Sequence, residues 1–250
     1  MADQEELTLA MYKSTASFEL APETAVPQRC AECTGRAAAL CANLAPAALQ
    51  SFAALGRVRH LEPGATLLWE GEPAEFVGTV RSGMFKLSAS LDDGREQILG
   101  VAGPGDFVGQ PLDQPATHSL TALGPASLCV MPRQQFHNFA LAHPAMTQAL
   151  VVRLFGELER ARAWMLLLGR KNAEERVASL LHDLAERSGA DAGAPVDLPL
   201  SRQQMAGLLG LTIETVSRRL SRLAADGVIT LPDLRHFTVE DPAALKALAG

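Results

Sequence analysis

From Gly64 to about Arg133, short runs of alternating apolar residues are cut by Gly64, Gly71, Gly83, Gly94, Gly103 and Gly105, with an Asp-Asp-Gly turn ending at Gly94. Turn signals at such regular spacing predict short antiparallel strands, roughly eight of them, closing into a roll. Ahead of this region, LAPAALQSFAALGRVRHL carries Leu44, Leu49, Phe52 and Leu55 at helical spacing and reads as one short amphipathic helix. Behind it the texture changes. From about His143 to Gly169 glycine and proline almost vanish, and Leu154, Leu158, Ala161, Met165 and Leu168 recur at intervals of four, three, four and three. That pattern predicts a long helix with a single apolar seam, and a charged opposite face carries Glu157, Glu159, Arg160 and Arg162. A lone helix of this kind packs on its own domain. A helix joining a strand-rich region to a helical one is better read as a parallel seam between two chains, and with no charge at the five seam positions, pairing needs little help from a bound group.

KNAEERVASLLHDLAERSG follows as another amphipathic helix and ends at Gly189 in the linker SGADAGAP. In the next module Ser201 caps a helix carrying Met205, Leu208 and Leu209, Gly210 breaks it, and Thr212 caps a second helix starting at Ile213. This is the spacing of a helix-turn-helix. Ile213, Val216 and Leu220 are expected to face inward, leaving Glu214, Ser217, Arg218 and Arg222 together outside. GVITLPDLRHFTV supplies two short strands around a Pro-Asp turn, a wing. An exposed row of Glu, Ser and Arg is often only a solvated helix face. Here it sits on the second helix of a capped pair, where Arg offers a fork of donors to guanine and Glu accepts from cytosine, so the module is expected to read double-stranded DNA.

The chain therefore divides into a tail (1–28) without sustained periodicity, expected to be mobile, a cysteine-bearing loop and roll (29–142), a dimerisation helix (143–170) and a winged helix-turn-helix (171–250). The fold class is α+β. With 250 residues, 48% of them apolar, the chain can fill cores for two domains, and its net charge of -6 argues against diffuse attraction to nucleic acid without excluding a local basic face. The acidic opening MADQEELTLA lacks the features of a signal peptide, and no apolar run is long enough to cross a bilayer. A cytoplasmic protein without membrane contact is expected. No nucleophile-base pair, phosphate-cradling glycine loop or paired carboxylates stand in a catalytic context, so the chain does not read as an enzyme.

Three of the four cysteines, Cys30, Cys33 and Cys41, lie in the C-x2-C-x7-C stretch CAECTGRAAALC, and the fourth, Cys129, is in the strand ASLCVMP. A single strand cysteine usually behaves as a small apolar residue. Since all the thiols of the chain are then accounted for, a shared four-thiolate centre is the better reading. Zinc and an iron-sulfur cluster both suit four thiolates, and a thiol-disulfide switch is a third use of them. Zinc sites more often pair their ligands two and two. A cyclic nucleotide in the roll would need an arginine for its phosphate, whereas GDFVGQPLDQPATHSL offers none and carries Asp106 and Asp113; none is expected. His118 is the one placed candidate there for a haem ligand, and a lone histidine is commonly structural.

The runs LTIETVSRRLSRL, LLLGRKNAEERVASLL and RSGMFKLSASLDDGREQILGVAGPGDFVG resemble the CRP/FNR superfamily of bacterial transcription regulators, and specifically its FNR branch, from Cys30 to the C-terminus. The resemblance implies a cyclic-nucleotide-binding-like jelly roll, a homodimer, contact with RNA polymerase, and a palindrome of TTGAT half-sites read by Glu214, Ser217 and Arg218, with Thr212 and Arg222 beside them. It also implies an oxygen-labile 4Fe-4S cluster on Cys30, Cys33, Cys41 and Cys129, whose loss lowers DNA affinity. Its best-known members have five residues between the second and third cysteine. This chain has seven, which puts the loop's conformation and oxygen reactivity in question more than the ligands. Leu40, next to Cys41, then reads either as a shield against oxidant or as a solvent-facing loop leucine. Asp92, Asp93 and Arg95 at the roll tip read either as polymerase contacts or as an ordinary charged turn.

Overall fold

The structure is a computed structural model and describes residues 26–189 and 193–250. Most of the expected N-terminal tail and the middle of the SGADAGAP linker lie outside the described residues. The described chain starts into a helical turn, α1 (Gln28–Ala31), passes a 3-10 turn (Arg36–Ala38) and enters α2 (Pro46–Leu55), which has a proline in its first turn and buries Leu49 and Phe52.

Helix α2 ends sooner than the sequence suggests. RVRHL is not its continuation but strand β1 (Arg57–Leu61), paired antiparallel along its whole length with β8 (Ala126–Pro132). Gly56 is extended and stops the helix, and the ladder to β8 outweighs the helical spacing of the leucines upstream. The roll thus begins at Arg57, not Gly64. Its other strands are β2 (Thr66–Leu68), β3 (Phe76–Ser82), β4 (Phe85–Ser90), β5 (Glu96–Ala102), β6 (Phe107–Gly109) and β7 (Ser119–Ala122). They form two antiparallel four-stranded sheets, β1-β8-β3-β6 and β2-β7-β4-β5. Val80, Phe85, Leu120 and Leu128 fill the core between them.

After α3 (Arg133–Ala142), α4 (Pro144–Arg170) runs 27 residues, about 40 Å at 1.5 Å per residue. Only Met146 and Leu167 on it are buried. Leu154, Leu158, Met165 and Leu168 of the expected seam are exposed, as are Val151, Val152, Phe155 and Leu166 beside it. Among the described residues of one chain, this stripe is left uncovered.

The C-terminal module opens with α5 (Ala173–Ser188), whose N-terminus is closed by a reciprocal capping box between Asn172 and Glu175. Strand β9 (Pro195–Asp197), helices α6 (Arg202–Leu209) and α7 (Ile213–Ala225), strands β10 (Ile229–Thr230) and β11 (His236–Val239) and helix α8 (Pro242–Ala249) follow. The wing is a three-stranded sheet in the order β10-β11-β9, one strand more than expected. Three residues of Pro-Val-Asp are too few to show alternation in the sequence. Val177, Leu181, Met205, Leu209, Val216 and Phe237 meet in one core, and Ile98 of β5 enters it from the roll. Beside Ile98, the Gln97 side-chain amide donates to the Gly207 carbonyl at 2.8 Å. No described helix is long and apolar enough to cross a membrane.

Candidate cysteine pocket and nucleic-acid interface

A chain of short turns carries the first three cysteines: the Cys30 amide donates to the Pro27 carbonyl at 2.7 Å, Cys33 to Cys30 at 3.4 Å, and Arg36 to Cys33 at 3.2 Å. Cys129 lies mid-strand on β8, opposite Val58 of β1 and Thr79 of β3. All four thiols are free and half-buried, and all four line one small cavity of about 30 Å³ together with Phe52, Val58 and Thr79. Arginines brace this cavity: Arg81 donates to the Arg29 carbonyl at 2.8 Å, and Arg29 to the Gly56 carbonyl at 2.9 Å. The Thr34 hydroxyl ties the loop to the roll through the Arg81 carbonyl at 2.5 Å.

The four sulfurs feel one another. Burial pushes the Cys41 thiol up to about 11, and the neighbouring Cys30, Cys33 and Cys129 reinforce it. Burial also raises Cys129; there Cys30 and Cys33 add to the rise, while Arg29 and Arg81 oppose it. Cys41 and Cys129 thus resist losing their protons until a cation arrives to take the charge. As donors, four thiols on one cavity fit a four-thiolate centre. Among the described residues no group of three or more His, Cys, Asp or Glu stands ready to hold a metal ion as the side chains are placed. Leu40 is not the solvent-facing loop leucine of one expectation. It is 7% exposed and packs in a core with Phe52, Val77, Met131 and Phe136, because the chain turns inward there; Ala39 is the residue that lines the cysteine cavity.

The cysteine loop lies directly on the turn between β5 and β6. A Cβ on Gly35 would stand 2.2 Å from the Gly105 amide nitrogen, and Gly105 itself has φ +91 with Ala38 against it. The next residue, Asp106, is buried and accepts from the Gly103 amide at 2.7 Å. It also pairs with Arg153 of α4 and, at 2.7 Å, with Arg187 of α5. These arginines, with Arg160, reach the roll's larger cavity of about 610 Å³ between the strands and α4. A search confined to the strand run could not find them, since they come from helices far along the chain. His118 lines the same cavity with its pKa lowered by burial, while Glu70 pulls the other way.

At the other end of the molecule the caps form where expected. The Ser201 hydroxyl accepts from the Gln204 amide at 3.2 Å and Thr212 from the Thr215 amide at 3.3 Å, while Gly210 supplies the left-handed turn at φ +61. Val216 and Leu220 are buried. Ile213 is not: it is 43% exposed, because it is the first residue of α7 and its side chain leans past the helix start, where no earlier turn covers it. Glu214, Arg218 and Arg222 are exposed and Ser217 half-buried. Glu214 is held below the usual carboxylate range by its own backbone amide and the Thr212 hydroxyl. Arg218 donates to the Thr215 hydroxyl at 3.3 Å, and Arg222 pairs with Asp226 at 2.8 Å. At the roll tip Arg95 is clasped by Asp93 at 2.8 Å, which accounts for those charges locally.

A ligand-type β-roll, a long helix with an uncovered apolar stripe and a winged helix-turn-helix with a free second helix together define a DNA-binding transcription regulator. Residues 58–143 match the family model of a cyclic nucleotide-binding domain and residues 175–248 that of a Crp-like helix-turn-helix domain. The transcriptional activator protein FnrL of Cereibacter sphaeroides is 40% identical over 228 residues, 89% of this chain and 92% of that protein. The fumarate and nitrate reduction regulatory protein of Salmonella typhimurium is 31% identical over 198 residues, 78% and 79% of the two chains. The solved structure of FixK2 from Bradyrhizobium japonicum superposes with a TM-score of 0.73 at 31% identity, covering 78% of this chain and 98% of that one. The chain belongs to the CRP/FNR superfamily, on its FNR-like branch.

Proposed function

We propose that this regulator binds, as a homodimer, a palindrome of TTGAT-type half-sites, and that a 4Fe-4S cluster makes the binding depend on low oxygen. The observation that carries the reading is the convergence of every cysteine in the chain, three from one loop and one from β8, on a single cavity. Cys30, Cys33, Cys41 and Cys129 would hold the cluster, whose lability to oxygen supplies the signal. One close pair, one nearby cysteine and one remote strand cysteine support a cluster over a zinc site, whose ligands more often come as two close pairs. The remaining work belongs to the protein. Held against β1 and β8, the cysteine loop rests on the turn that carries Asp106, and that turn touches α4. Self-association along the uncovered stripe of α4 would present two copies of α7 to one face of DNA. Glu214, Ser217 and Arg218 are assigned to base edges, Thr212 and Arg222 to flanking contacts, and RNA polymerase is the partner on DNA. With Arg153 and Arg187 at the roll cavity already engaged by Asp106, a cyclic nucleotide is not the effector assigned here. A cytoplasmic site of action follows from the DNA target.

Protein purified without air and kept so is expected to be brown, to carry iron and sulfide in a ratio near one to one, and to bind a TTGAT-ATCAA palindrome at least tenfold more tightly than after aeration. Colourless protein holding zinc, or thiols that merely oxidise to disulfide, with DNA binding indifferent to air, would replace the cluster by a structural ion or a thiol switch. Cys129→Ala is expected to lose both colour and tight binding.

A further inference from the structure

Asp106 is a buried acid with no place in the reading of either end of the molecule. Its carboxylate is the meeting point of three elements. One oxygen pairs with Arg153 on α4, and the other accepts from Arg187 near the end of α5 at 2.7 Å and from the Gly103 amide at 2.7 Å. The backbone around it is equally committed: its carbonyl accepts from the Val80 amide at 2.9 Å, and the Gly105 amide donates back to the Val80 carbonyl at 2.9 Å. On the far side of this turn lies the cysteine loop, with Gly35 packed so closely on Gly105 that neither can carry a side chain without displacing backbone. The Arg81 carbonyl, which the loop's Thr34 grips, follows Val80 on the same strand.

We infer that Asp106 is a positioning residue that carries the seating of the cysteine loop to the dimer helix and to the DNA-reading module at once. The physical reason is the cost of leaving it unpaired. A carboxylate and two partly buried guanidiniums meet here, and removing one partner of such a set leaves the others poorly compensated. The side-chain geometry therefore admits few compromises: when the Gly103–Asp106 turn is pressed by the loop, Arg153 and Arg187 are held at fixed places, and α4 and α5 with them. When the loop lifts, the turn gains freedom and both arginines lose their shared anchor, Arg153 keeping Glu157 at 3.5 Å and Arg187 keeping Asp183 at 3.9 Å and the Val101 carbonyl at 3.4 Å. Since α5 shares its core with α6 and α7, the loss reaches the reading helix. Coupling through one carboxylate also explains why the contact is made by glycines: any side chain at the loop–turn interface would hold the two apart.

The inference rests on the loop's seating and holds whichever centre the cysteines bind, so its test separates it from the cluster reading. Two variants, Gly35→Ala and Asp106→Asn, are made singly and together in the full-length chain, and hydrogen exchange is followed by mass spectrometry in metal-free protein. Gly35→Ala is expected to raise exchange at least tenfold around Arg153 in α4 and around Arg187 in α5, far from the substituted residue. Asp106→Asn is expected to do the same, and the double variant to add little to either, the mark of a shared path. In air-free, metal-loaded protein, Asp106→Asn should keep the wild-type iron and sulfide content yet bind the palindrome with the affinity of aerated wild type, so that the ratio between air-free and aerated affinity falls to about one. A purely structural role would weaken both states alike and keep the ratio. Exchange in α4 and α5 unmoved by Gly35→Ala, or additive effects in the double variant, would overturn the inference. A colourless wild type would overturn only the cluster.

Discussion

At the scale of single residues, burial decides between readings that the sequence leaves level. Leu40 is the clearest case: beside a cysteine it invites a role in chemistry, but at 7% exposure among Phe52, Val77, Met131 and Phe136 it is core. Leu40→Ala should therefore destabilise the metal-free protein by about 2–5 kcal/mol, the usual cost of a buried leucine truncated to a cavity. Urea unfolding of metal-free protein measures this without the linkage that a bound centre adds; a loss below about 0.5 kcal/mol would return the residue to the solvent-facing loop. A second residue-scale outcome concerns the wing. His236 has its pKa raised, first by the hydrogen bond to Asp233 and then by the charges of Asp233 and Asp197, with its own small burial opposing. The ring is 2.8 Å from Asp233 and 3.4 Å from Asp197. The sign follows from linkage: a folded-state pKa above the unfolded one means the pair helps the fold below the unfolded value of about 6.5 and that help fades as pH rises through the folded value. The side chain is 42% exposed, so salt and water keep the effect small. An NMR titration should find His236 protonated to higher pH than a free histidine, and Asp233→Asn should bring it back towards the ordinary value; a titration that ignored Asp233→Asn would show that the pair does not form in solution.

Among the elements, α4 makes the most exposed commitment. Met165 is 73% exposed and Leu154 53% exposed in the single chain, so a charge placed there has no core to disturb. If the stripe is the seam between two copies, Met165→Glu puts two like charges into a desolvated interface and should raise the dimer dissociation constant by at least a hundredfold, with the thermal midpoint of the isolated chain unchanged. Sedimentation velocity over a concentration series reads this directly. An unaltered dimer would move the interface elsewhere. This helix was legible in the sequence because a 3.5-residue repeat from Leu154 to Leu168, in a stretch almost free of glycine and proline, is hard to produce by chance. The helix-turn-helix was legible for a different reason: caps and the turn glycine are local chemistry, and Ser201, Gly210 and Thr212 act within one helical turn of where they stand. What stayed hidden were elements decided by distant partners. β1 follows a helix whose spacing runs smoothly into it and exists only because β8 is there to pair with. β9 is three residues long and is made by its register with β11. Ile213 obeys the helical period but sits at its edge, where the period no longer says which side is covered. The cysteine set could be gathered by counting thiols; the arginines of Asp106 could not, since Arg153 and Arg187 are separated from it by 47 and 81 positions.

For the whole molecule the question is whether the roll and the winged module behave as two domains on a helical tether or as one mechanical unit. The core of the winged module contains a residue of the roll. Ile98 is 5% exposed among Leu181, Met205 and Leu208, with Val101 and Leu123 packed at the edge of this core, and the Gln97 amide holds α6 through the Gly207 carbonyl. A tether would let the two parts unfold independently, whereas a shared core makes the melting of either expose apolar surface of the other. Calorimetry of the wild type is therefore expected to give one cooperative transition. Ile98→Ala removes about 2–5 kcal/mol of burial from the contact while leaving each domain its own core, so the transition should split in two, the upper and lower midpoints belonging to fragments that are each still folded. The same variant should weaken palindrome binding even though Ile98 belongs to the roll and is not among the residues assigned to DNA, because an undocked module must be reoriented on every encounter and pays that ordering cost in affinity. Two transitions in the wild type, or full DNA affinity in Ile98→Ala, would mean that the docked arrangement contributes nothing to recognition and that α4 alone sets the spacing of the two reading helices.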